Sequence, residues 1–230
     1  MQLASLKSSE IRNLPSEIHI MFSITLKNIG KRYRYDRIFA DIDEHFSSEM
    51  GGYAILGPNG SGKSTLMKIL SGHLTPSVGS IVFSKNNLIV EIEQVYQHIS
   101  YDAPYIDLIE ELTLVEMIDF HKRFKPLQEN LTTPFLVNEV LNFKRYEDKF
   151  IKHFSSGMKQ RLKLVLAITS DTPVLLLDEP TSYLDEQGIQ WYLNLIQQYA
   201  HGKLIVIASN SAQDYSFCKN HLNITDYKGK

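Results

Sequence analysis

Gly57-Pro58-Asn59-Gly60-Ser61-Gly62-Lys63-Ser64-Thr65 has the spacing G-x-x-x-x-G-K-[ST], which suits a loop that cradles phosphates. The glycines let the backbone curl so that successive N–H groups face the β- and γ-phosphates. A helix beginning at this loop adds its partial positive charge. Lys63 reaches the phosphates as a point charge, and Ser64 is a candidate ligand for Mg²⁺. Far downstream, the apolar run Val174-Leu175-Leu176-Leu177 ends in two acids, Asp178 and Glu179. A buried strand delivers Asp178 to the carboxyl edge of an open α/β sheet, where ligands collect. There it can hold the magnesium, while Glu179 is placed to orient or deprotonate an attacking water. An apolar strand followed by two acids is common by itself, and a glycine turn can arise by chance. The pairing of the two motifs carries the inference.

The elements around them fit. Residues 22–29, 36–46 and 52–56 read as strands leading to the glycine-rich turn, and residues 63–71 as the helix after it. Gly79 opens a hairpin, residues 80–83 and 88–93, across the turn signal Asn86-Asn87. Thr113-Leu114-Val115-Glu116 matches a capping box, and Leu114, Met117, Ile118 and His121 follow at helical spacing, giving a helix over residues 114–124. Residues 125–152 read as loops and short helices. From Met158 the order is helix, strand 174–177, helix 186–199, strand 204–208 and a short helix. Strands alternating with helices imply a parallel sheet covered on its faces.

Composition bounds the rest. A chain of 230 residues with 43% hydrophobic and 22% charged residues is long enough for a sizeable core. The net charge of −2 gives no general pull toward nucleic acid or anionic lipid, and no nucleic-acid partner is expected. The single cysteine, Cys218, excludes an internal disulfide and a cysteine-based zinc site; a buried apolar role in a reducing cytosol fits it best. The apolar runs fall far short of the ~20 residues of a membrane span. Residues 1–20 are polar, have no apolar signal-peptide core, and read as an ill-ordered extension ahead of a native start at Met21.

Phe154-Ser155-Ser156-Gly157-Met158-Lys159-Gln160-Arg161, with Ser155 lying 23 residues before Asp178, resembles the signature motif of the ATP-binding cassette (ABC) family, whose usual form is Leu-Ser-Gly-Gly-Gln. Ser155 and Gly157 keep the pattern; Ser156 and Met158 depart from it. The physical logic survives: a hydroxyl from Ser155, backbone N–H groups from Ser156 and Gly157, and a helix that points its positive end at a phosphate. Ser182-Tyr183-Leu184-Asp185 resembles the D-loop that signals across the dimer. Tyr33, 24 residues before Gly57, stands where the family places an aromatic on adenine, with Tyr35 as an alternative. The resemblance covers residues 22–220. It implies an α/β P-loop NTPase (RecA-like) core with an antiparallel β-subdomain and a small α-helical subdomain at about residues 104–169. It also implies ATP and Mg²⁺ as ligands, with ATP held between the P-loop of one protomer and the signature of a second cassette, in a homo- or heterodimer. The expected role is ATP hydrolysis coupled to a separate integral membrane subunit, on the cytoplasmic face of the membrane.

Two positions depart from the family. Pro104 stands where a glutamine usually contacts Mg²⁺, and Asn210 stands where a histidine usually contacts the γ-phosphate, so slow hydrolysis is expected. Three alternatives stay open: a non-transport ABC ATPase, a cassette that binds ATP only as a switch, and a P-loop small-molecule kinase. The last leaves the signature and D-loop unexplained.

Overall fold

Every residue of the run Val174–Asp178 is buried, as a central strand covered on both faces must be. The computed structural model describes residues 21–228; the extension expected over residues 1–20 lies outside them. In chain order the strands and helices are β1 (Phe22–Tyr33), β2 (Asp36–Ser47), β3 (Tyr53–Leu56), α1 (Lys63–Leu70), β4 (Val78–Lys85), β5 (Leu88–Val90), β6 (Ile99–Asp102), α2 (Leu114–Lys122), α3 (Thr133–Phe135), α4 (Ser156–Thr169), β7 (Val174–Asp178), α5 (Glu186–Tyr199), β8 (Leu204–Ala208) and β9 (Asn220–Asn223).

Two sheets result. An antiparallel sheet has the order β2-β1-β4-β5, and a parallel sheet has the order β6-β7-β8-β3-β9. Alternation along β7 sends Val174 and Leu176 to one face, where they meet Leu66, Met67 and Leu70 of α1 and Phe22 and Ile24 of the antiparallel sheet. Leu175 and Leu177 point the other way, against Leu164 and Val165 of α4 and Tyr192 of α5. Cutting a side chain such as Leu176 back to alanine in such a position costs about 2–5 kcal/mol. The β4–β5 hairpin turns at Asn86 and Asn87, both with positive φ (51° and 65°), as a two-residue turn matched to strand twist requires. The capping box of α2 is formed in both directions, Thr113 to Glu116 and back.

Three boundaries differ from expectation. β5 stops at Val90, and Ile92–Gln97 closes into a 3-10 helix instead of extending the strand. α4 begins at Ser156, so the signature residues lie within its first turn. After β8 the chain forms a further strand, β9, parallel to β3, and a single 3-10 turn over Ile224–Tyr227. Residues 104–155 hold α2, α3, a π-helical turn at Leu136–Val140 and two 3-10 turns. They pack through Leu114, Ile118, Leu136 and Ile151 onto the same core as α4 and α5. Cys218 is buried and its thiol is pushed up to about 12 by that burial, which makes it inert.

Candidate phosphate and metal site

β3 runs straight into the loop of residues 57–62, and α1 starts from Gly62. Gly57 and Gly62 have φ of 144° and 111°. A Cβ at Gly62 would come within 2.7 Å of Ile38 and 3.1 Å of Phe39, both on β2. The two sheets therefore meet at this loop. Ser61 donates its N–H to the Pro58 carbonyl (3.1 Å), which closes the tip through Asn59 and Gly60. Lys63 is only 6% exposed. Its ammonium donates to the carbonyls of Gly57 (2.8 Å) and Pro58 (3.4 Å) and to Asn210 Oδ1 (3.1 Å), and lies 3.6 Å from Glu179 Oε1. Ser64 and Thr65 follow in the first turn of α1.

Asp178 ends β7 at 1% exposure, and neither of its carboxylate oxygens has a hydrogen-bond partner among the described residues. Burial raises its pKa, with the Ser64 hydroxyl pulling the other way and the Glu179 charge adding to the rise. A buried carboxylate with only the neighbouring Ser64 hydroxyl to stabilise it calls for a further partner. A carboxylate beside a hydroxyl is the oxygen donor set of a hard divalent cation, so Asp178 and Ser64 fit Mg²⁺. Glu179 follows in a left-handed backbone conformation, φ 49°. Its N–H bonds the Ala208 carbonyl at 2.8 Å, which extends the β7–β8 pairing and turns the side chain toward Lys63.

The end of β8 arrives at the same place. Asn210 donates from Nδ2 to Asn59 Oδ1 at 2.6 Å while its Oδ1 accepts from Lys63. The structure thus brings together Asn59, Lys63, Glu179 and Asn210, joined by recorded contacts, with Asp178 and Ser64 adjoining them.

Other expected site residues stand apart. Tyr33 ends β1 at the tip of the first hairpin, 48% exposed, with Lys31 Nζ 5.3 Å from its ring centre. Ile38 and Phe39, on the returning strand close to that tip, lie where a Cβ at Gly62 would meet them. Ser155 caps α4 by accepting from the Met158 N–H (3.2 Å), and no hydrogen bond or ion pair among the described residues joins Ser155, Ser156, Gly157 or Met158 to the phosphate loop. Gly157 lies against the Tyr183 carbonyl, where a Cβ would sit 3.1 Å from the oxygen. Asp185 caps α5 by accepting from the Gly188 N–H at 2.7 Å. Pro104 follows β6 and lines a cavity of about 210 Å³ with Lys159, Gln160 and Tyr183.

Two acids escaped the sequence reading. Asp102, at the end of β6, is buried beside Lys163 (3.3 Å) and accepts from Gln160 Nε2, which also donates to the Pro180 carbonyl (2.9 Å). This ties α4 to the loop leaving Glu179. Asp214, at 1% exposure, accepts from Ser209 and Thr181. An isolated acid in a polar stretch carries no motif, so neither gave a signal.

The family model of the ABC transporter matches residues 46–182, and the chain belongs to that family. YcbN of Bacillus subtilis (strain 168), an uncharacterized ABC transporter ATP-binding protein, is 31% identical over 198 residues, covering 82% of this chain and 62% of YcbN. The lantibiotic transport ATP-binding protein SrtF of Streptococcus pyogenes is 30% identical over 219 residues, 90% of this chain and 88% of SrtF. Among solved structures, the dimeric cassette MJ0796 bound to ADP and Pi matches with a TM-score of 0.72 at 20% identity, covering 87% of this chain and 94% of that one. The last is a likeness of fold, and it agrees with the P-loop NTPase class expected from the sequence.

Proposed function

We propose that this chain binds MgATP on its phosphate loop and hydrolyses it, as the energy-coupling subunit of an ABC transporter. The observation that carries the reading is the convergence on one point of Lys63, Glu179 and Asn210, from α1, the end of β7 and the end of β8. Lys63 neutralises phosphate charge, and the backbone of residues 57–62 offers N–H groups to it. Ser64 and Asp178 would hold Mg²⁺, which when bound would supply charge neutralisation to the phosphates. Glu179 orients the attacking water and accepts its proton. Asn210 contributes a neutral hydrogen bond, and hydrolysis is correspondingly slow.

Dimerisation belongs to the same reading. Ser155 and the first turn of α4 make no bond to the phosphate loop of their own chain, which supports their use on ATP held by a second cassette, with Tyr33 on the adenine and Asp185 at the crossing loop. The name of SrtF supports a transport role, with an integral membrane subunit as partner at the cytoplasmic face. No helix among the described residues is long and apolar enough to cross a membrane.

Calorimetry with MgATP tests the reading at its base. Wild type should bind and Lys63→Ala should lose nearly all affinity, because the charge facing two phosphates leaves a site built around it. Equal affinity in the two proteins would overturn the assignment.

A further inference from the structure

Asp214 lies outside every motif of the chain, yet it is buried at the junction of three elements. Its Oδ2 accepts from Ser209 Oγ at 2.6 Å, at the end of β8. Its other oxygen accepts from the Thr181 hydroxyl, two residues after Glu179. Its backbone carbonyl accepts from the hydroxyl of Tyr192, the fully buried tyrosine of α5, at 2.9 Å. No cation pairs with this carboxylate among the described residues. A buried acid with no cation beside it is costly to keep for packing alone.

Ser209 connects it to the chemistry. Its Oγ also lies 3.2 Å from Glu179 Oε2 and accepts from the Ser211 N–H at 3.0 Å. A hydroxyl has one hydrogen to give, and here two carboxylates compete for it. The shorter contact is with Asp214. While Asp214 holds that hydrogen, the Ser209 oxygen only bounds the space beside Glu179 Oε2, whose lone pairs stay free to receive a proton from water.

We propose that Asp214 is a positioning residue for ATP hydrolysis, acting through Ser209 to set the orientation and hydrogen bonding of Glu179. The inference rests on the reading of Glu179 as the group that activates water.

Asp214→Asn is the discriminating variant. Its amide can donate to Ser209 Oγ and still accept from Thr181, so the shape is kept while the Ser209 hydrogen swings to Glu179. The expected result is a kcat lower by about tenfold or more with KM for MgATP changed by less than about twofold. A loosened fold would instead raise KM and lower the melting temperature. In a Ser209→Ala background the same change should have almost no further effect on kcat, because the connecting hydroxyl is gone. An unchanged kcat in Asp214→Asn, or penalties that multiply in the double variant, overturns the proposal. Should Asp214→Asn fail to fold, Ser209→Ala alone decides: wild-type kcat refutes the connection, and a lowered kcat at unchanged KM upholds it. Glu179→Gln assayed in parallel separates the two levels. If it hydrolyses ATP at the wild-type rate, the reading of Glu179 falls and this inference with it. If it is inactive while Asp214→Asn and Ser209→Ala are normal, only this inference falls.

Discussion

Lys63 donates to Asn210 Oδ1 at 3.1 Å, a hydrogen bond spanning 147 positions of the chain. The other end of the same amide donates to Asn59 in the loop tip. One neutral side chain at the end of β8 thus holds both the ammonium and the loop that are to face phosphate. An amide fills this place by geometry, but it cannot carry a positive charge or pass on a proton.

Asn210→His should therefore raise kcat by about tenfold or more, with KM for ATP little changed. A hydrogen bond to a charged group is worth roughly 1.5–3 kcal/mol, and each ~1.4 kcal/mol is about tenfold in rate. The neutral imidazole can still accept from Lys63 with one nitrogen and donate with the other. Steady-state hydrolysis at saturating MgATP checks this; a variant no faster than wild type shows that Asn210 is no handicap.

Asp178 holds two unpartnered carboxylate oxygens in a buried site, and its raised pKa shows that the folded protein disfavours the ionised form. In metal-free buffer at neutral pH, Asp178→Asn should stabilise the fold by about 1 kcal/mol or more, which is roughly 2–4 °C for a chain of this size. Added Mg²⁺ should raise the melting temperature of wild type and leave that of the variant unmoved. Calorimetric melts give both numbers, and equal Mg²⁺ shifts in the two proteins would remove Asp178 from the metal site.

Two buried groups give opposite pH slopes. Burial lifts Asp102 from 3.8 to about 6, partly offset by Lys163 and Gln160. Its contribution to stability is full below about 4 and is lost as pH rises through about 6. Burial holds His121 down from 6.5 to about 4, with the Lys125 charge adding to the effect. Its contribution is full above about 6.5 and is lost as pH falls through about 4. The two offset each other in wild type. His121→Gln should therefore lose stability, relative to wild type, as pH rises from about 4 to 6. Asp102→Asn should lose it as pH falls from about 6.5 to 4. Urea midpoints across this range check the signs; parallel profiles for the two variants would contradict the assignment.

How much of this was legible in the sequence depends on whether a residue belongs to a periodic or motif-bearing segment. The β7 run, the Thr113–Glu116 capping box and the Asn86-Asn87 turn each carry a local signal that the fold obeys. So does the phosphate loop between β3 and α1. β9 carries almost none: of Asn220–Asn223 only Leu222 is apolar and buried, and the strand exists because β3 offers it an edge. Ser209 and Asp214 were illegible for the same reason, since their meaning comes from Glu179 and Thr181, just after β7, and Tyr192 on α5, which only the fold brings near. The left-handed turn at Glu179 is likewise set by the β7–β8 pairing, not by any local preference of glutamate.

In the proposed cycle MgATP holds two cassettes together until it is hydrolysed with the help of Glu179. Size-exclusion chromatography with light scattering on Glu179→Gln, with and without MgATP, tests it most directly. The variant keeps Lys63, Ser64 and Asp178 but lacks the carboxylate to which the proposed function assigns the proton from water. It should run as a monomer without nucleotide and as a dimer with MgATP, while Lys63→Ala stays monomeric in both. A Glu179→Gln protein that binds MgATP yet remains monomeric at high concentration would contradict a self-paired ATP sandwich.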